Sequence, residues 1–310
     1  MGYVHTTFRT ERLDRARGAL LGLACGDAVG TTAEFKPRGS FLPLTDMVGG
    51  GPFQLKPGEW TDDTSMALCL ASSLIENGFD QLDQMKRYMD WHREGYMSSN
   101  GRCFDIGNAT YEALMTFKRT GNALAGSTSP DSAGNGSIMR LAPVPIHYLE
   151  TPELALDLCE EQSRTTHQAP ECLMACRLLC EVLIRALQGK SKVEVLSPSQ
   201  QALRMSPGLK SVASGGYKSK SRDQIRGSGY VVESLEAAFW CFWNTENFKD
   251  CVLMAANLGL DADTTAAIAG QVGGAYYGKS GIPIEWLERL TMGDEIGHLA
   301  EQLVLIKPVI

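Results

Sequence analysis

Glycine recurs at every fourth position through RARGALLGLACGDAVGTT, at Gly18, Gly22, Gly26 and Gly30. Residues four apart share one face of a helix, so this spacing makes a strip without side chains, against which another backbone can come close. In an apolar membrane segment such a strip signals helix dimerisation. Here Asp27 interrupts it and arginines flank it, and the apolar run from Ala19 to Cys25 is far short of the roughly 20 residues needed to cross a bilayer. A second glycine-rich stretch, with Gly270, Gly273 and Gly274, shows the same economy. The expectation is two closely packed helices beside something that needs space.

Apolar residues keep a helical period through most of the chain. Residues 12–25 carry Leu13, Ala16, Leu20, Leu21 and Ala24, and residues 64–76 carry Met66, Ala67, Leu70 and Leu74 before a stop at Asn77-Gly78. Further helices are predicted over 81–94, 104–118, 152–162, 168–188, 231–243, 247–257 and from Thr264 to Gly278. No alternating β-branched run exceeds a few positions. The chain therefore reads as all-α, one domain over 1–310 with one core. Two stretches read as long loops, 119–137 and 189–229, the second with room for a short helix; such loops are often functional. Lys210, Lys218, Lys220, Arg222 and Arg226 in the second read as solvated, with guidance of a phosphate-bearing substrate as the alternative.

Composition excludes several classes. Hydrophobic residues at 44% and charged residues at 21% suit a globular protein with a large core, and a net charge of −7 argues against a general nucleic-acid binder. The N-terminus has Arg and Asp where a signal peptide would be apolar. Nine cysteines without a CxxC pair point to reduced thiols and the cytoplasm. Cys172, Cys176 and Cys180 share one helical stripe and read as packed core. No membrane or nucleic-acid partner is expected, and the oligomeric state is left open.

The chemistry concentrates in two acidic helix starts. WTDDTS offers Thr61, Asp62, Asp63 and Thr64, and LDADTTAA offers Asp261, Asp263, Thr264 and Thr265. Either motif alone reads as ordinary capping. Capping needs one side chain, however, and each motif puts two carboxylates and a hydroxyl within one turn. Glu34 adds a fifth carboxylate. The donors are all hard oxygens with no His or Cys among them, which selects Mg²⁺ or Mn²⁺ over Zn²⁺. Two divalent ions would bring four positive charges against these five carboxylates. On the acidic clusters alone, a two-metal phosphatase or nuclease fits as well.

Seven stretches in order, GALLGLACGDAVGTTAEF, GEWTDDTSMAL, FDIGNAT, AGNGSIMRLAPV, Thr166-His167, GYVVESLEAAF and DADTTAAIAGQVGGAYYG, resemble the ADP-ribosylglycohydrolases. That family includes dinitrogenase reductase-activating glycohydrolase and the ADP-ribosylarginine hydrolases. The resemblance runs from Arg15 to about Tyr277 and implies an orthogonal multi-helix bundle around a cleft holding two Mg²⁺ or Mn²⁺ ions. It implies Thr61, Asp62 and Asp63 on one side of the metals and Asp261, Asp263 and Thr264 on the other, with Glu34 reaching the metals or their water. Asp105 is implied beside the scissile bond, where a guanidinium would lie, and Asn108 at the ribose. Ser132, Ala133, Gly134, Asn135, Gly136 and Ser137 resemble a diphosphate cradle at a helix start. Arg140 is expected to pair with a core carboxylate, His167 to contact ligand or close a helix N-terminus, and Tyr230 to stack on adenine. The sequence departs at Leu260, where the family usually has Gly or Asp.

The function this implies is metal-dependent cleavage of the bond between ADP-ribose and a modified side chain, arginine first, releasing ADP-ribose. Serine-linked or free ADP-ribose derivatives are the rivals within the class, and a non-catalytic ADP-ribose-binding relative the rival outside it. In the implied mechanism the diphosphate sits on Gly134–Ser137 and the distal ribose lies over the metals. An activated water attacks as the bond breaks with oxocarbenium character. Glu34 and Asp105 handle protons, while Asp62 and Asp263 complete the catalytic set.

Overall fold

The computed structural model describes residues 2–197 and 205–308, with side chains described from residue 10 onward. Among the described residues it is all-helical, with three isolated bridges in place of any sheet. In chain order the α-helices are α1 (Gly2–Gly30), α2 (Asp62–Asn77), α3 (Gln81–Glu94), α4 (Asn108–Thr120), α5 (Pro143–His147), α6 (Pro152–Ser163) and α7 (Pro170–Leu187). They continue with α8 (Lys192–Val195), α9 (Pro207–Ala213), α10 (Val231–Trp243), α11 (Phe248–Ala256), α12 (Ala262–Tyr277), α13 (Ile284–Arg289) and α14 (Gly293–Leu305).

The glycine strip of α1 lies against α12, and the two run in opposite directions. A Cβ placed on Gly18, Gly22, Gly26 or Gly30 would come within 2.2, 2.4, 2.1 and 2.3 Å of the carbonyls of Gly274, Gly270, Ala266 and Ala262 in turn. The backbones touch at every turn, so the seam has no room for a methyl group. Gly273 is the exception to the expectation: it faces Phe248 and Cys251 at ordinary contact distance and lies outside the seam. Antiparallel packing sets the end of α1 level with the start of α12, which places Asp27 and Glu34 beside Asp261 and Asp263.

Around this pair α7, α10, α11 and α14 bury one extensive core, in which Cys172, Cys176 and Cys180 are packed as expected. A second cluster of Met66, Met85, Tyr88, Trp91, Leu114 and Met139 lies under α2, α3 and α4. No helix among the described residues is long and apolar enough to cross a membrane.

Several boundaries differ from the sequence reading. The helix expected over 104–118 starts at Asn108, because Asp105 takes a left-handed φ of 58° that a helix cannot include. The 189–229 stretch holds α8, α9 and two 3-10 turns, and its part from 198 to 204 lies outside the described residues. The C-terminal pair α13 and α14 was not anticipated, although α14 buries Ile296, Leu299, Ala300 and Leu303 at helical spacing.

The seam makes a direct prediction. Gly26→Ala forces backbones apart and should destabilise the protein by about 1–3 kcal/mol or more, as overpacking does. Gly273→Ala, outside the seam, should stay within ~1 kcal/mol of wild type on the stabilising side, through helix propensity. Urea unfolding of both variants checks the pair; equal losses would contradict the account.

Candidate active site

Both acidic helix starts meet at the level where α1 ends, and neither is capped by its own motif. Thr61 and Asp261 occupy the N-cap positions of α2 and α12, yet neither side chain caps its helix. The cap of α2 comes from another element. Asp27, fully buried, accepts from the Thr61 N–H at 2.9 Å and hydroxyl at 2.8 Å, and from the Thr64 N–H at 3.0 Å and hydroxyl at 2.6 Å. This aspartate, which sequence reasoning passed over as a break in an apolar strip, fixes the first turn of α2 on α1. Its side chain being occupied, Asp62 and Asp63 are free for something else.

Between α2 and α12, the Thr264 hydroxyl donates to Asp63 Oδ2 at 3.3 Å, and that of Thr61 lies 3.3 Å from Asp263 Oδ2. Two groups of carboxylates have oxygens mutually within 4.8 Å: Asp27, Asp63 and Asp263, and Glu34, Asp105 and Asp263. Asp27 is the poorest candidate ligand, since both its oxygens already accept two hydrogen bonds. By contrast Asp63 Oδ1 and Asp263 Oδ1 are buried with no hydrogen-bond partner. An unpaired buried carboxylate oxygen is costly, and a cation is the partner its chemistry fits. Asp261, beside these groups, is oriented by Asn135, whose Nδ2 donates to its Oδ2 at 2.6 Å.

Crowding shows in the acidities. Burial, then the charges of Asp105 and Asp261, pushes Glu34 up to about 10, and burial lifts Asp105 to about 7. Asp62, Asp63 and Asp263 are pushed well above the usual carboxylate range, first by burial and then by one another and their acidic neighbours. Without positive charge, the cluster holds protons.

Above the carboxylates lies a cleft of about 770 Å³, lined by Glu34, Asp62, Asp105, Asp261, Asp263 and Thr264 on the acidic side. Asn108, Gly134, Asn135, Gly136 and His167 line its other walls. Ser132 and Tyr230 border an adjoining hollow of about 590 Å³ that shares Gly134 and Gly229 with the cleft. Tyr230 is half exposed, its hydroxyl donating to Glu171 at 2.6 Å. Ser137 is buried, with its hydroxyl against Cys176, so only its backbone could face a ligand. Thr61 and Asp63 sit beneath the floor. The Gly134–Ser137 loop does not open a helix directly: turns run to Arg140, and the proline-led α5 begins at Pro143.

His167 does not close a helix, since α7 starts at Pro170 behind Ala169. Its ring lies against the loop, where a Cβ on Gly136 would meet Cε1 at 2.6 Å. Burial, then Arg140, pushes its pKa down to about 3, so the imidazole is neutral. Arg140 Nη2 donates to the Thr166 hydroxyl oxygen at 2.8 Å, and that hydroxyl meets His167 Nδ1 at 2.8 Å. The network assigns the Thr166 proton to Nδ1 and leaves Nε2–H facing the loop. Arg140 therefore corrects the expectation of a carboxylate partner. It is fully buried, bonded to Gln162, Thr165 and Thr166, and its guanidinium stands 4.8 Å from the Tyr88 ring.

The departure at Leu260 has a backbone cause. Its φ is +60°, the left-handed region that Gly and Asp tolerate better than a branched apolar residue. The site nevertheless survives, because Leu260 and the segment after Glu34 are tied by a reciprocal pair: Phe35 N–H to the Leu260 carbonyl at 2.6 Å and Leu260 N–H to the Lys36 carbonyl at 2.8 Å. Of the basic segment, Lys220 pairs with Glu236, Arg222 donates to the Asn257 carbonyl and Lys218 lies over Trp243. Arg226 lines the cleft.

An all-helical frame that gathers carboxylates under a cleft, with a glycine-rich loop beside them, defines a class of hydrolase whose acidic clusters could hold metal ions. The sequence profile of the ADP-ribosylglycohydrolases matches residues 9–308, and the chain belongs to that family, whose members cleave glycosidic bonds of ADP-ribose. It is 49% identical over 300 residues to "ADP-ribosylarginine hydrolase Tri1" of Serratia proteamaculans, covering 96% of this chain and 81% of that one. It is 52% identical to the Pseudomonas putida protein of the same name, covering 94% and 78%. A solved structure titled "ADP-ribosylglycohydrolase-related protein complex" matches with a TM-score of 0.86 and 42% identity, over 95% of this chain and 98% of that one.

The raised acidities give a signed prediction. A carboxyl whose pKa rises on folding favours the folded state below its unfolded value near 4. That advantage is lost as pH climbs to about 7 for Asp105 and about 10 for Glu34. A bound cation cancels the penalty. Mg²⁺ or Mn²⁺ at a fixed concentration a hundredfold above its Kd at pH 8 should stabilise the fold there by roughly 2–3 kcal/mol, with a smaller rise in thermal midpoint at pH 5.5, where protons compete for the carboxyl groups. Equal shifts at both pH values, or none, would contradict the assignment, and Asp63→Asn should shrink the effect.

Proposed function

We propose that the protein is an ADP-ribosylarginine hydrolase that uses two divalent cations, Mg²⁺ or Mn²⁺. The observation that carries the cation requirement is the pair of partnerless buried oxygens, Asp63 Oδ1 and Asp263 Oδ1. The arginine linkage is supported by the names of the two relatives near 50% identity. Thr61, Asp62, Asp63, Asp261, Asp263 and Thr264 are the proposed metal-holding set, with Glu34 and Asp105 at its open side. When bound, the ions would supply Lewis acidity toward ribose hydroxyls and water.

This chain's own residues do the rest. The Gly134 and Asn135 N–H groups are committed to the Ser132 and Gly229 carbonyls. Gly136 and Ser137 are therefore the loop positions proposed to donate to the diphosphate, with His167 Nε2–H beside them. Asn135, while fixing Asp261, borders the same phosphate space. Asn108 at the first turn of α4 is placed for a ribose hydroxyl, and Ser132 and Tyr230 for the adenine end. Asp105 and Glu34 are proposed to hold and move protons, with Asp105 facing the leaving guanidinium. The modified protein is the substrate and ADP-ribose the product. The fold is taken as one domain over 1–310. Nine free cysteines support a reducing compartment, the cytoplasm.

The test follows ADP-ribose release from peptides modified on Arg or on Ser, with Mg²⁺, Mn²⁺ or a chelator. Release from the arginine peptide alone, abolished by the chelator, is the expected result; release from serine alone would overturn the linkage. Asp62→Ala or Asp263→Ala should lower turnover about a thousandfold or more, the scale of several kcal/mol of lost charge stabilisation. Full activity in either variant would refute the cluster's role.

A further inference from the structure

The cleft has an end that the glycine loop does not reach. Contacts along its floor set an order. Tyr230 is bridged to Gly134, Asn135 donates to Asp261, and Asp263 lies within 4.8 Å of Glu34 and Asp105. Phenylalanines flank two of these carboxyl groups in the chain: Phe35 follows Glu34 and lines the same cleft, and Phe104 precedes Asp105. Phe53 joins them, its ring centroid 6.4 Å from that of Phe35 and 5.3 Å from that of Phe104, in edge-on and tilted arrangements. Phe35 therefore lines the carboxyl side of the cleft, and the rings of Phe53 and Phe104 pack in a row behind it.

The rim is held in place. Phe35 is 66% exposed and lines the cleft, and its left-handed backbone, φ +60°, is fixed by the pair of bonds with the Leu260 segment. That conformation keeps a large apolar ring out of the core. Phe53 rides a tight hairpin closed by reciprocal Gly50 and Leu55 bonds at 2.7 and 2.9 Å. The hairpin sits directly on the end of α1: a Cβ on Gly51 would come to 2.2 Å from the Thr31 carbonyl, and the Thr32 hydroxyl donates to the Gly49 carbonyl at 2.9 Å. The exposed Phe35 ring is thus held beside the carboxyl groups, with a flat apolar face open to whatever lies over them.

We propose that Phe35, held in place by the ring of Phe53, forms the subsite for the leaving group, the arginine side chain of the modified protein. The inference rests on the ADP-ribosylarginine reading above. With ADP-ribose running from the loop to the carboxyl groups, whatever is bonded to its anomeric carbon emerges at this rim. A guanidinium is planar and cationic, so it stacks on a phenyl face while directing N–H donors to the Asp105 and Glu34 oxygens. Charge complementarity thus commits the surface to arginine. A serine hydroxyl would leave the rings with nothing to cover.

The experiment begins with wild-type enzyme and Mn²⁺ on an arginine-modified peptide; no release overturns the function reading, and the rim with it, before any variant is made. With release established, Phe35→Ala and Phe53→Ala should each raise KM for that peptide about tenfold, within the range of a partly desolvated cation–π contact. Phe35→Trp should restore it and Phe35→Leu should not, since leucine keeps bulk without a ring face. Affinity for free ADP-ribose, measured by calorimetry, should change less than twofold. An unchanged KM in both alanine variants, or a parallel loss of ADP-ribose affinity, overturns the rim and leaves the hydrolase standing. Should Phe53→Ala fail to fold, the exposed Phe35 series decides alone.

Discussion

Direct backbone contact between α1 and α12 is the constraint on which the rest of the structure depends. Four consecutive turns of glycine on α1 meet carbonyls of α12 at distances that exclude even a methyl group. Close packing of this kind has little tolerance, so the register of the two helices is fixed. Register decides function here, because it puts the last turn of α1 and the first turn of α12 at one level. The carboxylates of 27, 34, 261 and 263 are brought together by a seam whose own residues have no chemistry.

The first turn of the third element, α2, is capped by a single side chain from α1. Asp27 satisfies two N–H groups and two hydroxyls at the start of α2. In doing so it releases Asp62 and Asp63 from capping. The helix dipole still favours negative charge at both starts, but it offsets only part of the repulsion among so many buried carboxyl groups. The orphaned oxygens and raised acidities are two signs of the same unmet demand for positive charge. On the opposite wall, Arg140 is buried without an anion and acts through hydrogen bonds, passing from Thr166 to His167 and so to the loop.

Part of the site was legible because two motifs that each read as ordinary capping carry, taken together, more carboxylates than capping uses. Two acidic pairs with threonines at helix starts exceed what capping requires, and the glycine-asparagine loop matched a known pattern. Asp27 was not legible: in the chain it is one aspartate in an apolar strip, and its role exists only where α2 arrives. Asp105 read as a helix start because its left-handed backbone leaves no mark on an aspartate. The phenyl rim was invisible, since an exposed Phe35 and a core phenylalanine are the same letter. Helix α14 carried a readable period, and α13 is too short to show one; both came after the last motif and were missed.

The amino-acid sequence by itself determined the helical periods, the absence of strand patterning, the side-chain-free strip on α1 and the hard-oxygen character of the acidic motifs. These are local properties of residue type and spacing, which no partner can change. Tertiary structure alone decided which carboxylates share space, which oxygens are left without donors, and which aromatic rings face solvent. The carboxylate cluster depends on distances between residues more than two hundred positions apart in the chain. Only the register of two packed backbones supplies those distances.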